Sequence, residues 1–423
     1  MSEYDLVLRG AHIKGEEQPV DLAVTAGCIA ARGPALAGRG AQEFDCAGRL
    51  LTPGLVESHV HLDIALMNPF DRPGRRAAYT SQAGMVAEME RRRAETTPGE
   101  LIRRAGRALE LASLHGVTAL RAQCQVDDGA GLKHLEALLA VREQYAGCVD
   151  LKITAFPAHG LFAKDPGAPA RVRAALRAGA DAVGGSPSHD RGFEGPGDYR
   201  QRHFDTAFEL AAEFNADLDL HADLALPDEV GLEDLEVVMV ARRALEGGLQ
   251  GRVTVGHAAA LDSALPEVQA EAVRLIHEAG LNIVSLPDLY RLGRADSHHV
   301  RRGLTRVKEL LAAGVNVALG SNNVRDALRP LGNFNLIEEA LILSYGAHMD
   351  TVDQLETLME MITTNPARAL RLDGYGLEPG CSADMVVFDA PSAPAAIVGQ
   401  APARWVFKRG RLVAETEVVT RQA

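Results

Sequence analysis

Short apolar runs separated by polar and glycine-rich stretches set the pattern of this chain. Leu6-Val7-Leu8, Asp21-Leu22-Ala23-Val24 and Cys28-Ile29-Ala30 are brief runs, so residues 4 to about 52 read as short strands joined by turns. Pro53-Gly54 punctuates the end of that region. From Leu55 the rhythm changes. Apolar runs now alternate with longer amphipathic segments such as Pro98 to His115 and Leu304 to Ala313. The runs are Leu55 to His61, Thr118 to Gln125, Asp150 to Ala155, Ala182 to Gly184, Asp217 to His221, Val253 to His257, Asn282 to Leu286 and Asn316 to Gly320. Strand then helix, eight times, predicts an α/β fold of the (β/α)8 TIM-barrel type. An open doubly wound sheet would usually carry a Gly-rich phosphate turn after its first strand, and none is present. After about Asp373 strand character returns, in Gly380 to Asp389 and in the hairpin-like Trp405 to Val413. Both chain ends are therefore expected to form a small β-sandwich domain, residues 1–53 with 374–423, beside a barrel over 54–373.

Composition agrees with a large core. The chain has 423 residues, 47% of them hydrophobic, but only 4% are aromatic, so the core must be built from Ala, Leu and Val. The net charge of −13, with no Lys/Arg stripe interleaved with aromatics, argues against a nucleic-acid partner. Basic runs such as Arg91-Arg92-Arg93 read as solvated helix faces. No two of the five cysteines stand at CxxC spacing, so they read as small buried hydrophobes in a reducing compartment. No secretory signal and no apolar run of ~18 residues is seen, so a membrane partner is not expected and the expected location is the cytoplasm.

The candidate chemistry lies at strand ends. His59-Val60-His61 places two imidazoles on one face of the first barrel strand, where a divalent ion such as Zn2+ or Fe2+ can bind. His221 ends the fifth run and His257 the sixth, and barrel enzymes build their sites at these ends. Gly320-Ser321-Asn322-Asn323 follows the eighth run. Asn322 can ligate a metal weakly through its carbonyl oxygen but cannot take a proton from a water.

Taken in order, these residues resemble the amidohydrolase superfamily, in particular its bacterial cytosine deaminase and N-isopropylammelide amidohydrolase branch. The resemblance covers nearly the whole chain. It is carried by Pro53 to Asp63, by Ala155-Phe156-Pro157, by Arg302 to Glu309 and by Gly380 to Asp389. It implies one divalent metal ion, Zn or Fe, held by His59, His61 and His221, with His257 nearby. Such an ion would lower the pKa of its water to near ~7 and polarise the scissile C–N centre. The chain also departs from the cytosine deaminase pattern. Asn322 stands where the family has a metal-ligating Asp, and Leu224 stands where a proton-donating Glu is implied. Ala158, followed by His159, replaces a Gln that reads the pyrimidine edge, and Gln123 and Gln125 replace a His and an Asp.

Two functions follow. The first is a hydrolase acting on a small polar amide, cyclic ureide or amino-heterocycle other than cytosine. His257 would move the proton, since imidazole titrates near neutral pH, with Asp223 and Asp288 next in line. Asn322 would assist at the metal, and His159, Gln123, Asp288 and Asn323 would line the substrate. The second is a catalytically silent relative that binds a small molecule in the same pocket. The polar stretches Asn68 to Glu95 and Pro187 to Tyr199 read as loops over the barrel mouth. Homo-oligomers are common for barrels of this kind, and one is compatible with the chain.

Overall fold

The computed structural model describes residues 2–67, 82–191, 198–224, 229–287, 303–419 and 421. The first strands are β1 (Tyr4–Ala11), β2 (Val20–Thr25), β3 (Cys28–Gly33) and β4 (Gly40–Asp45), and they form one sheet in the order β3-β2-β1-β4. The short β5 (Leu51–Pro53) leaves that sheet and pairs antiparallel with a strand from the other end of the chain.

Eight parallel strands then make the barrel: β6 (Leu55–Val60), β7 (Val117–Gln125), β8 (Asp150–Phe156), β9 (Ala182–Gly185), β10 (Asp217–Ala222), β11 (Val253–His257), β12 (Asn282–Ser285) and β13 (Asn316–Leu319). Each lies within two residues of its apolar run in the sequence. Helices α1 (Gln82–Glu95) and α2 (Pro98–Leu114) follow β6, and α3 (Lys133–Tyr145) follows β7. Then come α4 (Ala168–Ala178), α5 (Arg200–Phe214), α6 (Glu236–Gly247), α7 (Pro266–Glu278) and α8 (Val307–Ala312), one after each next strand. No helix among the described residues is long and apolar enough to cross a membrane.

The core lies between strands and helices because the strands alternate. On β7, Leu120, Ala122 and Cys124 join the apolar layer that also holds Leu101, Ala105 and Leu109 of α2 and Leu135 and Leu138 of α3. Each fully buried leucine of this layer contributes about 1.5–3 kcal/mol. The intervening residues Arg121, Gln123 and Gln125 are buried on the opposite face, inside the barrel. The interior of the barrel wall is thus polar near the C-terminal ends of these strands, where function is built.

The barrel closes through a short seam between β6 and the turn after β13. His61 N–H donates to Asn322 O (2.7 Å), Asn322 N–H donates to His59 O (2.9 Å), and Val60 bridges Asn322 in parallel. The returning chain adds β14 (Met385–Phe388), β15 (Ala403–Lys408) and β16 (Arg411–Glu415), giving the sheet β16-β15-β14-β5. Leu6, Leu8, Leu22 and Ile29 of the first sheet share one apolar cluster with Leu51, Met385, Val387 and Phe407 of this one.

Three expectations need correction. The stretch before Glu95 is not all loop, since Gln82–Glu95 is helical and its exposed face is laced by Arg91 pairs to Glu88 (2.8 Å) and Glu95 (2.7 Å). Arg93 is buried rather than solvated and pairs with Glu90 at 2.8 Å. Cys46 and Cys124 are buried, but Cys28 is exposed on the short strand β3, whose one face looks to solvent.

Candidate metal centre

Period-two alternation on β6 sends His59 and His61 to the same inner face, and β10 contributes His221 from across the barrel. The three Nε2 atoms converge, with His59 Nε2 3.0 Å and His61 Nε2 3.1 Å from His221 Nε2. All three rings are buried, and among the described residues they are the set of His, Cys, Asp and Glu side chains placed to hold a metal ion. Two ligands of a tetrahedral Zn2+ at about 2.0–2.1 Å stand roughly 3.3 Å apart, so this spacing fits such an ion with little adjustment.

The groups behind His59 favour the same reading. Its Nδ1 lies 3.6 Å from Asp219 Oδ1 and 3.3 Å from Gln123 Nε2, and Gln123 donates to Asp219 Oδ2 at 2.5 Å. A hydrogen on Nδ1 facing the Asp219 carboxylate would leave the Nε2 lone pair for a metal, with the Gln123 amide hydrogen then spent on Asp219 Oδ2. Burial alone would raise the Asp219 carboxyl, but Arg121 at 2.8 Å and His59 outweigh it and hold it below the usual carboxylate range. Neither Asp219 nor Arg121 was singled out in the sequence. The signal was there, since Asp219 stands two residues before His221 and shares its face.

Packing fixes the ring orientations. The Phe156 ring stacks on His221 at 4.3 Å and lies 5.3 Å from His61. Gly256 pairs with His221 across β10 and β11, and a Cβ there would come within 3.2 Å of His59 Cε1. Glycine therefore lets the imidazole lie against the strand. Glu57, one inner position below His59, accepts from His59 N–H (3.0 Å) and Ser321 N–H (3.1 Å). Burial pushes its carboxyl up to about 7, against the pull of those bonds.

His257 reaches the site by a different route. Gly256 occupies the inner face, so strict alternation would turn His257 outward. Its φ of +75°, followed by +47° at Ala258, turns the chain sharply and brings the ring within 5.5 Å of His221 and 6.3 Å of His59. Thr305 Oγ1 donates to His257 O at 2.6 Å and holds the turn. Side chains in this backbone region are strained, and surrounding contacts must hold them there.

Asn322 sits at the closing seam, its backbone bonded to both His59 and His61. Asn323 donates through Nδ2 to Asp326 Oδ2 (2.6 Å) and is buried. Gln123 supports His59 through Asp219, to which its amide donates. Asp223 is buried, and its two oxygens accept from Glu236 N–H (2.8 Å) and Val237 N–H (2.9 Å) at the start of α6. Burial and the adjacent Glu236 carboxylate push Asp223 well above the ordinary range. Its oxygens are thus engaged by a helix N-terminus. His159, half-buried at the rim, meets Glu90 of α1 at 3.3 Å and Asp127 at 3.9 Å, and the Glu90 contact raises its pKa. Leu224 and Ala158 are half-buried. Asp288 lies outside the described residues.

Comparison with known proteins agrees with this geometry. N-isopropylammelide isopropyl amidohydrolase of Pseudomonas sp. (strain ADP) is 29% identical over 423 residues, 99% of each chain. Among solved structures, 5-methylcytosine deaminase from Klebsiella pneumoniae superposes with a TM-score of 0.88 at 29% identity, covering 99% of this chain and 100% of that one. N-isopropylammelide isopropylaminohydrolase from Burkholderia multivorans gives 0.84 at 29%, covering 97% and 98%. The sequence profile of the amidohydrolase family matches residues 42–414, and with that match across barrel and β sheets alike the chain belongs to the amidohydrolase family.

Proposed function

We propose that the chain is a metal-dependent hydrolase that cleaves a C–N bond of a small cyclic amide or amino-heterocycle other than cytosine. The observation that carries it is the convergence of the His59, His61 and His221 Nε2 atoms in front of Asp219. The relatives named for N-isopropylammelide and 5-methylcytosine supply the substrate class by analogy. His59, His61 and His221 would hold one divalent ion, Zn or Fe, since imidazole suits both. Bound there, the ion supplies an acidified water and a Lewis acid for the C–N centre.

The chain's own residues do the rest. Asp219 fixes the tautomer and tilt of His59, and Phe156 fixes His221. His257, beside the triad, takes and returns the proton as the amine or ammonia leaves. Asn322, whose backbone bonds both His59 and His61 at the seam, would offer its side-chain oxygen to the ion. Asp223 positions the start of α6. Gln123, Asn323 and His159 would line the substrate space. Cytosine is disfavoured because Leu224 and Ala158 stand where the resemblance implies its proton donor and edge reader.

The test is release of ammonia or amine from amino-triazines and aminopyrimidines, or ring opening of cyclic ureides, by the purified protein, with and without a chelator. Chelator-sensitive release supports the hydrolase. No release from a protein that holds its metal points instead to a silent relative that binds a small molecule. A separate prediction concerns the seam. Asn322→Asp is expected to tighten Zn2+ binding by at least about tenfold in chelator competition, because a carboxylate is the better ligand. An unchanged Kd would place that side chain beyond the metal's reach.

A further inference from the structure

We infer that Gln125 is the specificity-determining residue of the pocket, its carboxamide reading a ring edge that carries one donor beside one acceptor, as in the –NH–C(=O)– of a lactam. This rests on the proposal above in taking the barrel mouth as the substrate site.

Three observations place Gln125 there. The first is strand alternation. Arg121 reaches Asp219 and Gln123 reaches His59, both inside the barrel, and Gln125 is the next residue on that face. Second, Val60 pairs with Ala122, which sets Gln123 level with His61 and Gln125 one step nearer the mouth. Gln125 N–H accordingly donates to Asp63 Oδ2 at 3.1 Å. Third, Gln125 pairs with Phe156 on β8, so the two side chains share a face. Phe156 is the ring stacked on His221. The Gln125 side chain therefore leaves the wall beside the ring that packs on the triad.

The side chain is 1% exposed, and neither its Oε1 nor its Nε2 has a hydrogen-bond partner. Gln123 Oε1 and Thr154 Oγ1 on the same inner face are also without partners, which makes four such atoms in one stretch of wall. Folded proteins satisfy about nine in ten buried polar groups, so a cluster of this kind is what a ligand is expected to complete. A carboxamide presents N–H and C=O side by side in one plane. Its complement is an edge with the opposite pair: the ring carbonyl accepts from Nε2 and the ring N–H donates to Oε1. A carboxylate offers only acceptors and would leave Oε1 unpaired. An N-alkylated ring has lost the donor and would leave it unpaired too.

The test is binding of uracil and of 1,3-dimethyluracil to the full chain as purified, by calorimetry. Uracil keeps the lactam edge and has no exocyclic amine to lose, and the dimethyl compound has no N–H. Wild type is expected to prefer uracil by about 10-fold or more, because the dimethyl compound loses the N–H bond and leaves the buried Oε1 unsatisfied. In Gln125→Leu the ratio should fall to within about 3-fold of unity, mainly through loss of uracil affinity. Gln125→Met, which keeps the chain length and removes both polar atoms, serves as a second variant if the first fails to fold. Both variants should melt no lower than wild type, because they bury no unpaired amide. A preference that persists in the variants overturns the proposal, and so does a wild type that fails to prefer uracil. Metal content and amine release on the same preparations separate the two readings. Selective binding without hydrolysis sinks the hydrolase alone, and hydrolysis with an unaltered ratio sinks Gln125 alone.

Discussion

Replacing His257 with alanine is expected to lower kcat by about 10²–10⁴-fold while the protein keeps its metal. The size is that of one general acid–base group. The retention follows from geometry. His257 stands 5.5 Å ring to ring from His221, outside the convergent trio. Its backbone is held by Thr305 and by the left-handed turn through Ala258, and neither depends on the ring. The check is steady-state kinetics on a turned-over amino-heterocycle beside elemental analysis of the same sample. A rate within about threefold of wild type would remove His257 from proton transfer. Loss of metal with loss of rate would make it a ligand instead.

The second large effect is on stability. Arg121→Met should destabilise the fold by about 3–5 kcal/mol, because it leaves the Asp219 carboxylate buried and without its cation. Arg121 also donates to Ser58 O at 3.2 Å, so part of that loss is a backbone bond. The double change Arg121→Met with Asp219→Leu should recover most of the stability, since an apolar pair costs no charge burial. It should not recover the metal site. Without Asp219 behind His59, Zn2+ affinity is expected to fall about 10–100-fold. Urea unfolding and chelator competition on the three proteins check both halves. Equal stability of the single and double variants would mean that the ion pair does not hold this wall.

Much of this was legible in the sequence, for a physical reason. Barrel strands are short, apolar and bounded by polar turns, so all eight stand out from the amphipathic helices between them. His59 and His61 share a face by alternation, and His221 ends its strand, so their meeting could be expected from order alone. What stayed hidden depends on the third dimension. Strand β4, Gly40–Asp45, shows no apolar alternation and carries its pattern only through pairing with β1. Helix α1 lies in a polar stretch, and charge pairs such as Arg91 with Glu88 lace its described face. Asp223 stands at a strand end like a catalytic acid, yet its oxygens are engaged by the start of α6, more than ten residues on. The aim of His257 is set by a backbone conformation that no residue pattern announces. Gln125 was visible only as a replaced residue, and the lack of partners for its amide appears only once the wall is built.

The most direct measurement is the metal content of the purified, untagged protein at neutral pH with no metal added, beside that of His221→Ala. About one Zn or Fe per chain, falling close to zero in the variant, is the result expected of three convergent imidazoles. No metal in the wild-type protein, and none taken up from excess Zn2+ or Fe2+, would contradict a metallohydrolase.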